Sequence, residues 1–248
     1  MLADARVGTT GYAYREWMGS VYPPGAAASQ LLPIYAQRLP TVEIASTFTR
    51  LPPPEQVAAW AQSAPPGFQF ALKAPGRVSQ ELGAGKPAAR SFAAFVESVA
   101  DLGDRLGPIL VQVPESLKAD RRPLAEFLRA VPEGLRLAFE FKDATWHDDA
   151  TLRILSAHEA ALVLTDSGDE LPRLELTAGF TYVRIRRDNL GPELTAAWAE
   201  RLALLTRRGV DVYAYLKHDR RGVAVEHAMR LSSLLRTEYE VGAQAVLS

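Results

Sequence analysis

Short apolar runs recur along the chain, and most are separated by segments in which apolar residues repeat every three or four positions. Such runs are typical of buried parallel strands, and the 3.6-residue repeat is typical of amphipathic helices. Eight runs predict strands, at residues 6–10, 41–46, 68–73 and 109–113, at the apolar start of residues 137–146, and at residues 161–166, 180–185 and 212–217. The fifth run carries Glu140 and then breaks into a polar loop that holds Trp146. A carboxylate in a buried strand needs a partner.

Helical periodicity is clearest in four segments. They are residues 92–106, 124–131, 194–205 and 224–235. Shorter or weaker helices are predicted at residues 30–39, 55–62 and 152–155. Residues 171–178 show no clear period, so we expect an irregular connection between strands six and seven. Residues 83–87, rich in glycine, predict a flexible loop after strand three.

Eight strands alternating with helices in 248 residues predict one closed (β/α)₈ barrel, a TIM-like α/β fold, as a single domain over residues 1–248. No linker, composition break or internal repeat divides the chain. An open doubly wound sheet is the alternative that the same order of elements allows. In a barrel of this kind the functional site lies at the carboxyl ends of the strands, so polar side chains there are the first candidates.

Composition narrows the functional classes only slightly. The chain is 48% hydrophobic and 23% charged, and its net charge of -1 gives no overall argument for a nucleic-acid or membrane partner. The lack of cysteine excludes disulfides, zinc ribbons and cysteine nucleophiles. Residues 1–6 hold two charges and no apolar core, so we expect no signal peptide. No apolar run reaches the ~18 residues of a membrane span, and we expect a soluble, cytoplasmic protein.

Nearly every predicted strand has a polar residue at or just after its end. These residues are Thr10, Glu43, Lys73, Gln112, Glu140, Asp166, Arg184, Arg186 and Lys217. Because the carboxyl ends of barrel strands meet at one face, the set predicts a polar, ligand-binding pocket. The alternative is that these residues pair with one another and only close the core, since buried charges need partners in any case.

Glu43 and Glu140 are the predicted acid and base groups. Two carboxylates divide proton donation and acceptance when their environments push their pKa values apart. Lys73 is the third predicted catalytic residue, either neutralising one carboxylate or forming a Schiff base, and nothing in the sequence favours the second role. The alternative for these carboxylates is a hard-cation site formed by Glu43, Glu140 and Asp166. No paired-histidine motif is present, however, so we predict no metal and no cofactor.

Basic residues gather after the last two strands. They are Arg184, Arg186 and Arg187 around the end of strand seven, and Lys217, Arg220 and Arg221 around the end of strand eight. Barrels often bind phosphate between these loops with backbone amides at a helix start, and Gly222 opens the last predicted helix. Asp188 and Asp219 offset part of the charge. The sequence therefore predicts an anion site here, with a solvated rim of weak ion pairs as the alternative.

A set of short motifs follows in consistent order from about residue 6 to residue 230. They are the loop at residues 8–19 with Tyr22-Pro23, residues 41–48, residues 68–74, residues 107–114, and residues 139–146. Together they resemble the YecE-like family, also known as domain of unknown function 72. The resemblance implies a TIM-barrel-like fold and no settled activity. The positions that recur in that family correspond to Tyr12, Tyr14, Trp17, Glu43, Lys73, Gln112, Glu140 and Trp146.

Three places depart from the pattern that the resemblance implies. Lys142 stands where the family usually has arginine, and Arg186-Arg187 stand where it usually has a histidine-glycine pair. Residues 216–219, Leu-Lys-His-Asp, replace a motif that contains asparagine. The rim of strands seven and eight is therefore more basic in this chain.

Aromatic residues of the first loop and of the loop after strand five are candidate ligand contacts. Tyr12, Tyr14, Trp17 and Trp146, together with Tyr22, would suit stacking on a base, a sugar or another flat ligand. The alternative is that these rings plug the barrel mouth and pack the long first loop.

Three functional hypotheses follow. The first is an enzyme, or a former enzyme, acting on a small anionic or phosphorylated ligand that Lys73, Arg184 and Lys217 hold. The second is a nucleic-acid-binding or nucleic-acid-processing protein, in which the basic rim and the aromatic residues contact a flipped base or a single strand. The third is a non-catalytic ligand sensor with the same pocket. The sequence does not separate the first from the third, and it predicts no oligomeric state.

Overall fold

The strands form one closed parallel barrel in chain order. The computed structural model describes residues 3–168 and 170–246 of the 248 residues. Its strands are β1 (Ala5–Thr10), β2 (Thr41–Ile44), β3 (Gln69–Lys73), β4 (Leu106–Val113), β5 (Leu137–Phe141), β6 (Ala161–Asp166), β7 (Phe180–Ile185) and β8 (Asp211–Leu216). The predicted (β/α)₈ fold is confirmed, and the alternative of an open doubly wound sheet is wrong.

Helices connect most of the strands. They are α1 (Ala28–Ala36), α2 (Pro54–Ser63), α3 (Gly76–Gly83), α4 (Ala88–Ser98), α5 (Arg121–Ala130), α6 (Asp149–Ala157), α7 (Pro192–Arg207) and α8 (Val223–Val246). Short 3₁₀ helices occur at Arg15–Trp17, Ser46–Phe48, Ala100–Arg105 and Ala144–Trp146. As predicted, the described residues between β6 and β7 include no helix. In the part of the chain that the structure describes, no helix combines the length and the apolar character needed to cross a membrane.

The helix predicted at residues 92–106 is interrupted. The helix α4 ends at Ser98, where Val99 leaves the helical conformation at φ -117°. The chain turns again at Gly103 in the following 3₁₀ helix, at φ 51°, because glycine adopts positive φ without a steric penalty. The pattern also misses α3, whose last residue is Gly83, so the predicted loop shortens to residues 84–87.

The chain divides into two compact units, and the first comprises residues 1–43, 165–173 and 179–248. In this unit β8 pairs in parallel with both β1 and β7, with Leu216 opposite Thr9 and Ile185. Thr10 lies opposite Glu43. This register brings the carboxyl ends of these strands to one level, where their polar side chains meet. The prediction of a single domain over the whole chain stays a prediction.

The second unit comprises residues 44–164 and 174–178. Here β4 pairs in parallel with β3 and β5, and Gln112 lies opposite Glu140. Behind these strands the ring of Phe127 meets those of Phe92 and Phe139 edge to face, with centroids 5.2 Å and 6.3 Å away. Edge-to-face packing is a preferred geometry for aromatic pairs, so this cluster anchors the strands that carry the polar ends.

The loop after β5 is held by a carboxylate that accepts several hydrogen bonds. Asp143 forms an ion pair with Lys118 and accepts the backbone N–H of Thr145 at 3.0 Å. The Thr145 hydroxyl also donates to Asp143. The Lys118 ammonium and these Thr145 donors lower the pKa of Asp143 to about 2.

We expect Asp143 to contribute to the pH dependence of stability. Because its pKa is lower in the folded state than the ~3.9 of an unfolded aspartate, its contribution is present above about pH 4 and is lost as the pH falls toward about 2. Asp143→Asn should therefore flatten the acid limb of the stability curve in this window, as measured by urea unfolding at a series of pH values. Asp104→Asn, at an exposed site, is the matched control, and the idea fails if both variants keep the wild-type slope.

Candidate functional site

The buried carboxylate at the end of β2 gathers hydrogen-bond donors from two other strands. Glu43 Oε1 accepts from Arg184 Nη2 at 2.8 Å, from Thr10 Oγ1 at 3.1 Å and from Arg186 Nη2 at 3.4 Å. Its Oε2 accepts from the Tyr182 hydroxyl at 2.8 Å. We call these five residues the Glu43 cluster. Thr10 is a relay within it, because its hydroxyl also accepts from Arg186 Nη1 at 3.0 Å.

The Glu43 cluster holds two guanidinium groups against one carboxylate. Glu43 is fully buried, and the side chains of Arg184 and Arg186 are 7% and 18% exposed. Burial raises the pKa of Tyr182 well above its ordinary value, and the Glu43 carboxylate raises it further. The hydroxyl therefore stays protonated and donates a hydrogen bond to Glu43. The cluster therefore carries a positive excess, and its more exposed cation is Arg186.

The first loop packs its aromatic residues against one another. The Tyr14 hydroxyl donates to the Thr10 carbonyl at 2.7 Å, and burial together with Glu43 and Glu16 raises the pKa of Tyr14 to about 12. The Tyr14 ring lies 4.7 Å from that of Trp17, which is fully buried and donates its Nε1–H to the Asp219 carbonyl at 2.6 Å.

Tyr12 is less deeply packed in this loop. Its ring centroid is 6.0 Å from that of Tyr35, and its carbonyl accepts the Tyr22 hydroxyl. In the first loop, Trp17 and Tyr22 fit the alternative of structural packing, whereas Tyr12 and Tyr14 are half-buried. The roles of these aromatic residues as ligand contacts stay predictions.

A cavity of about 470 Å³ lies between the loop after β7 and the loop that joins β8 to α8. Four cationic side chains line it, and we call it the basic pocket. These side chains are Arg187, Lys217, Arg220 and Arg221. His218 and His227 also line it, as do the carboxylates Asp188 and Asp219. The predicted ligand residue Lys217 thus lies in this cavity.

Two of the four cations are held by carboxylates. Arg187 Nε donates to Asp166 Oδ1 at 2.6 Å, and Asp166 Oδ2 accepts Trp198 Nε1–H at 2.8 Å. Asp166 is fully buried and fixes Arg187 in the pocket wall, and its predicted contact with a ligand stays a prediction. Lys217 Nζ lies 2.8 Å from Asp188 Oδ1, but Asp188 is 91% exposed, and such surface pairs contribute little.

The backbone amides at the start of α8 already have an acceptor. Asp219 Oδ1 accepts the N–H of Arg221 and its Oδ2 accepts the N–H of Ala224, both at 2.7 Å. Burial disfavours the Asp219 carboxylate, but backbone N–H groups, with Ala224 and Arg221 foremost, outweigh it and lower its pKa. An internal carboxylate thus occupies the position that a phosphate would take at these amides, and the expectation that they hold phosphate stays a prediction.

Gly222 is required at the start of α8. It has φ 78°, and a Cβ there would lie 2.5 Å from Val21 Cγ2 and 3.1 Å from Ser20 Oγ. Positive φ and the close approach of the first loop both favour glycine. The loop that carries the pocket cations is therefore fixed at both ends, by β8 and by this turn.

In the second unit, the predicted residues form a row across three strands. Lys73 Nζ donates to Gln112 Oε1 at 2.7 Å and lies 3.8 Å from the centroid of the Phe48 ring. Gln112 Nε2 donates to Glu140 Oε2, and Lys142 Nζ donates to Glu140 Oε1 at 2.6 Å. The row thus carries one carboxylate between two ammonium groups, and Gln112 links Lys73 to Glu140.

Trp146 lies beyond this row. It is buried, its ring stacks on Phe141 at 4.6 Å between centroids, and its Nε1–H donates to the Leu117 carbonyl at 2.8 Å. Together with Phe141 it borders a cavity of only about 10 Å³, which is at the lower limit for holding one water molecule. This cavity beside Trp146 is too small for a ligand. The predicted role of Trp146 as a ligand contact stays a prediction.

A match to a protein-family model shows which family the chain belongs to. The model described as "Protein of unknown function DUF72" matches residues 6–246. The chain belongs to the DUF72 family. This confirms the resemblance to the YecE-like family, which is the same family under another name.

Solved structures of DUF72 proteins share the fold. A DUF72 family protein of Thermotoga maritima is 25% identical, with a TM-score of 0.80, over 94% of this chain and 99% of that one. A structure of a DUF72 family protein of Enterococcus faecalis is 19% identical, with a TM-score of 0.75, over 94% of this chain and 95% of the other. A second structure of the Enterococcus faecalis protein has a TM-score of 0.71 at 20% identity. A search of curated proteins found no match.

Three residues of the site lie outside the set predicted for this DUF72 chain. Tyr182 donates to Glu43, Lys142 donates to Glu140, and His218 lines the basic pocket. Side chains two residues apart in a strand lie on the same face, so the pairs Tyr182/Arg184 and Glu140/Lys142 were accessible to sequence reasoning. His218 comes directly after Lys217 at the end of β8, so the strand-end pattern points to its position, but its stacking on Tyr14 depends on how two loops fold.

The catalytic roles of Glu43, Glu140 and Lys73 stay predictions. Glu43 has donors on both oxygens and Glu140 lies beside Lys142, so any reaction would have to displace one of these partners. Among the described residues, no group of three or more His, Cys, Asp or Glu side chains is arranged to hold a metal ion.

Proposed function

We propose that this DUF72 protein binds a small anionic, phosphorylated ligand in the basic pocket. The observation that carries the proposal is the cavity of about 470 Å³, lined by four cations and two carboxylates, between the loops after β7 and β8. Ligand pockets commonly measure ~300–1,000 Å³ and combine a shaped wall with a few placed polar groups. The positive excess of the lining gives an anion an electrostatic advantage over a neutral ligand.

Arg220 and Arg221 are the residues that would bind the anion first. Both are exposed, and neither guanidinium has an ion-pair or hydrogen-bond partner among residues 3–168 and 170–246. Arginine presents a planar set of donors that matches phosphate oxygens two at a time. Arg187, positioned by the buried Asp166, would supply a more rigid third contact.

The capped start of α8 supports side-chain recognition of the ligand. Because Asp219 accepts the N–H groups of Arg221 and Ala224, a phosphate there would meet a carboxylate. The anion would therefore lie against the guanidinium groups on the open side of the pocket. In this arrangement affinity depends on arginine side chains, and mutation can remove it without changing the backbone.

The proposal is tested by melting temperatures measured with a panel of phosphorylated metabolites and short oligonucleotides. A ligand that binds only the native state raises the melting temperature by mass action. We expect a small phosphorylated compound to raise the melting temperature of the wild type. Arg220→Ala/Arg221→Ala should lower the affinity for that compound roughly tenfold or more, because hydrogen bonds to charged groups contribute ~1.5–3 kcal/mol each.

Arg129→Ala/Arg153→Ala, which removes two exposed guanidinium groups on α5 and α6, is the charge-matched control and should bind as the wild type does. If both double variants lose binding of the phosphorylated compound equally, net charge alone explains the effect, and the proposed binding site in the basic pocket is refuted. A shift with oligonucleotides alone would favour the nucleic-acid hypothesis instead.

A further inference from the structure

We propose that the phosphorylated ligand of the basic pocket is a mononucleotide whose base stacks on His218. This inference rests on the proposed function and adds the chemical class of the ligand. His218 lines the pocket, and its ring is stacked on Tyr14 with centroids 4.1 Å apart and planes 14° apart. Tyr14 covers one face of the imidazole, and its Nε2 edge lies 3.6 Å from Glu16 Oε1, so the other face is the one left for stacking.

The Tyr14–His218 stack is held in place before any ligand arrives. The Tyr14 hydroxyl donates to the Thr10 carbonyl at 2.7 Å, and the ring of Tyr14 packs on Trp17. Trp17 in turn donates to the Asp219 carbonyl in the same loop as His218. A flat surface that is already fixed loses little conformational entropy on binding, so stacking on it contributes more to affinity.

The cavity is larger than a phosphate group alone would need. At about 470 Å³ it falls within the range of sites for whole small molecules. A phosphate on Arg220 and Arg221 would leave most of this volume empty. The remaining volume reaches Asn189, an exposed amide with both a donor and an acceptor, and His227 on α8.

The spacing of the aromatic and cationic groups also suits a nucleotide. His218 and Arg220 are two residues apart, so their Cα atoms lie within about 7 Å of each other. A ring on His218 and a phosphate on the longer arginine side chains are thus separated by about the extent of a sugar. A phosphorylated sugar without a base would use the arginine groups and leave His218 without a contact.

Isothermal titration of adenosine 5′-monophosphate and of ribose 5-phosphate into the full chain separates the two contributions. Stacking of a base on an aromatic side chain corresponds to about five- to 150-fold in affinity. We expect the nucleotide to bind more tightly than the sugar phosphate by a factor in this range. His218→Ala should remove that difference and leave ribose 5-phosphate unaffected, whereas His218→Phe should keep it. His158→Ala, at the end of α6, is the matched histidine control.

Three results would overturn the inference. Equal affinity for both compounds, lost in Arg220→Ala/Arg221→Ala, would refute stacking on His218 while leaving the anion pocket standing. A preference for the nucleotide that survives His218→Ala would place the base elsewhere. Failure of both compounds to bind would overturn the inference together with the proposed function.

Discussion

Glu43→Gln is expected to lower the free energy of unfolding by about 3–5 kcal/mol, the range seen when one partner of a buried ion pair is removed. The substitution keeps the shape of the side chain but removes the charge that Arg184 and Arg186 face. Arg186 is near enough to solvent to be hydrated, whereas Arg184 is not. The buried guanidinium of Arg184, which loses the carboxylate charge it faces, therefore accounts for most of the loss.

Urea unfolding of a small set of variants tests this expectation. Glu200→Gln, at an exposed position in α7, should lie within about 0.5 kcal/mol of the wild type. Glu43→Gln/Arg184→Met should recover part of the stability lost in the single variant, because it removes the buried cation as well. A loss below about 1 kcal/mol for Glu43→Gln would show that the cluster is more hydrated than its buried contacts indicate.

Asp166→Ala is expected to cost at least about 2 kcal/mol of stability, and it should also weaken anion binding. Removing the carboxylate leaves the buried Trp198 Nε1–H without its acceptor, which costs about 1–3 kcal/mol. It also takes away the ion pair that fixes Arg187 in the pocket wall. The two effects have different readouts, because the first acts on unfolding and the second on the affinity for phosphate compounds.

The matched control for this variant is Asp188→Ala, which removes a carboxylate at the rim of the same pocket. Asp188 is almost fully exposed, so its loss should change stability by no more than about 1 kcal/mol. Asp166→Ala/Trp198→Phe should cost less than the sum of the single variants, since the two residues share one hydrogen bond. Equal costs for Asp166→Ala and Asp188→Ala would contradict the structural role given to Asp166.

The fold was predictable because its signals are local. Residues 161–166 and 180–185 are strands with the predicted bounds, since continuous apolar runs mark strands buried on both faces. The break after α4 escaped the pattern: Leu102 continues the apolar spacing of Phe92 and Phe95 although Gly103 turns the chain. The apolar spacing indicates which residues are buried. It does not change where a glycine with positive φ turns the chain, so it cannot show the turn.

The pairing of charges was not predictable in the same way. Polar residues at strand ends follow from the strand pattern, but Glu43 and Arg184 are 141 residues apart, and only the closed sheet brings them together. Similarly, Asp219 was counted only as charge that offsets the basic residues. Its role as the acceptor for the first amides of α8 depends on the turn at Gly222. Residue types could be predicted from local sequence, whereas partners required the three-dimensional structure.

Isothermal titration of inorganic phosphate at two salt concentrations examines the anion pocket with the simplest possible ligand. We expect the wild type to bind phosphate, with an affinity that falls as salt rises because exposed charges are screened. Arg220→Ala/Arg221→Ala should bind at least roughly tenfold more weakly, and Arg129→Ala/Arg153→Ala should match the wild type. Identical affinities in all three proteins, or no phosphate binding by the wild type at low salt, would contradict an anion site in the basic pocket.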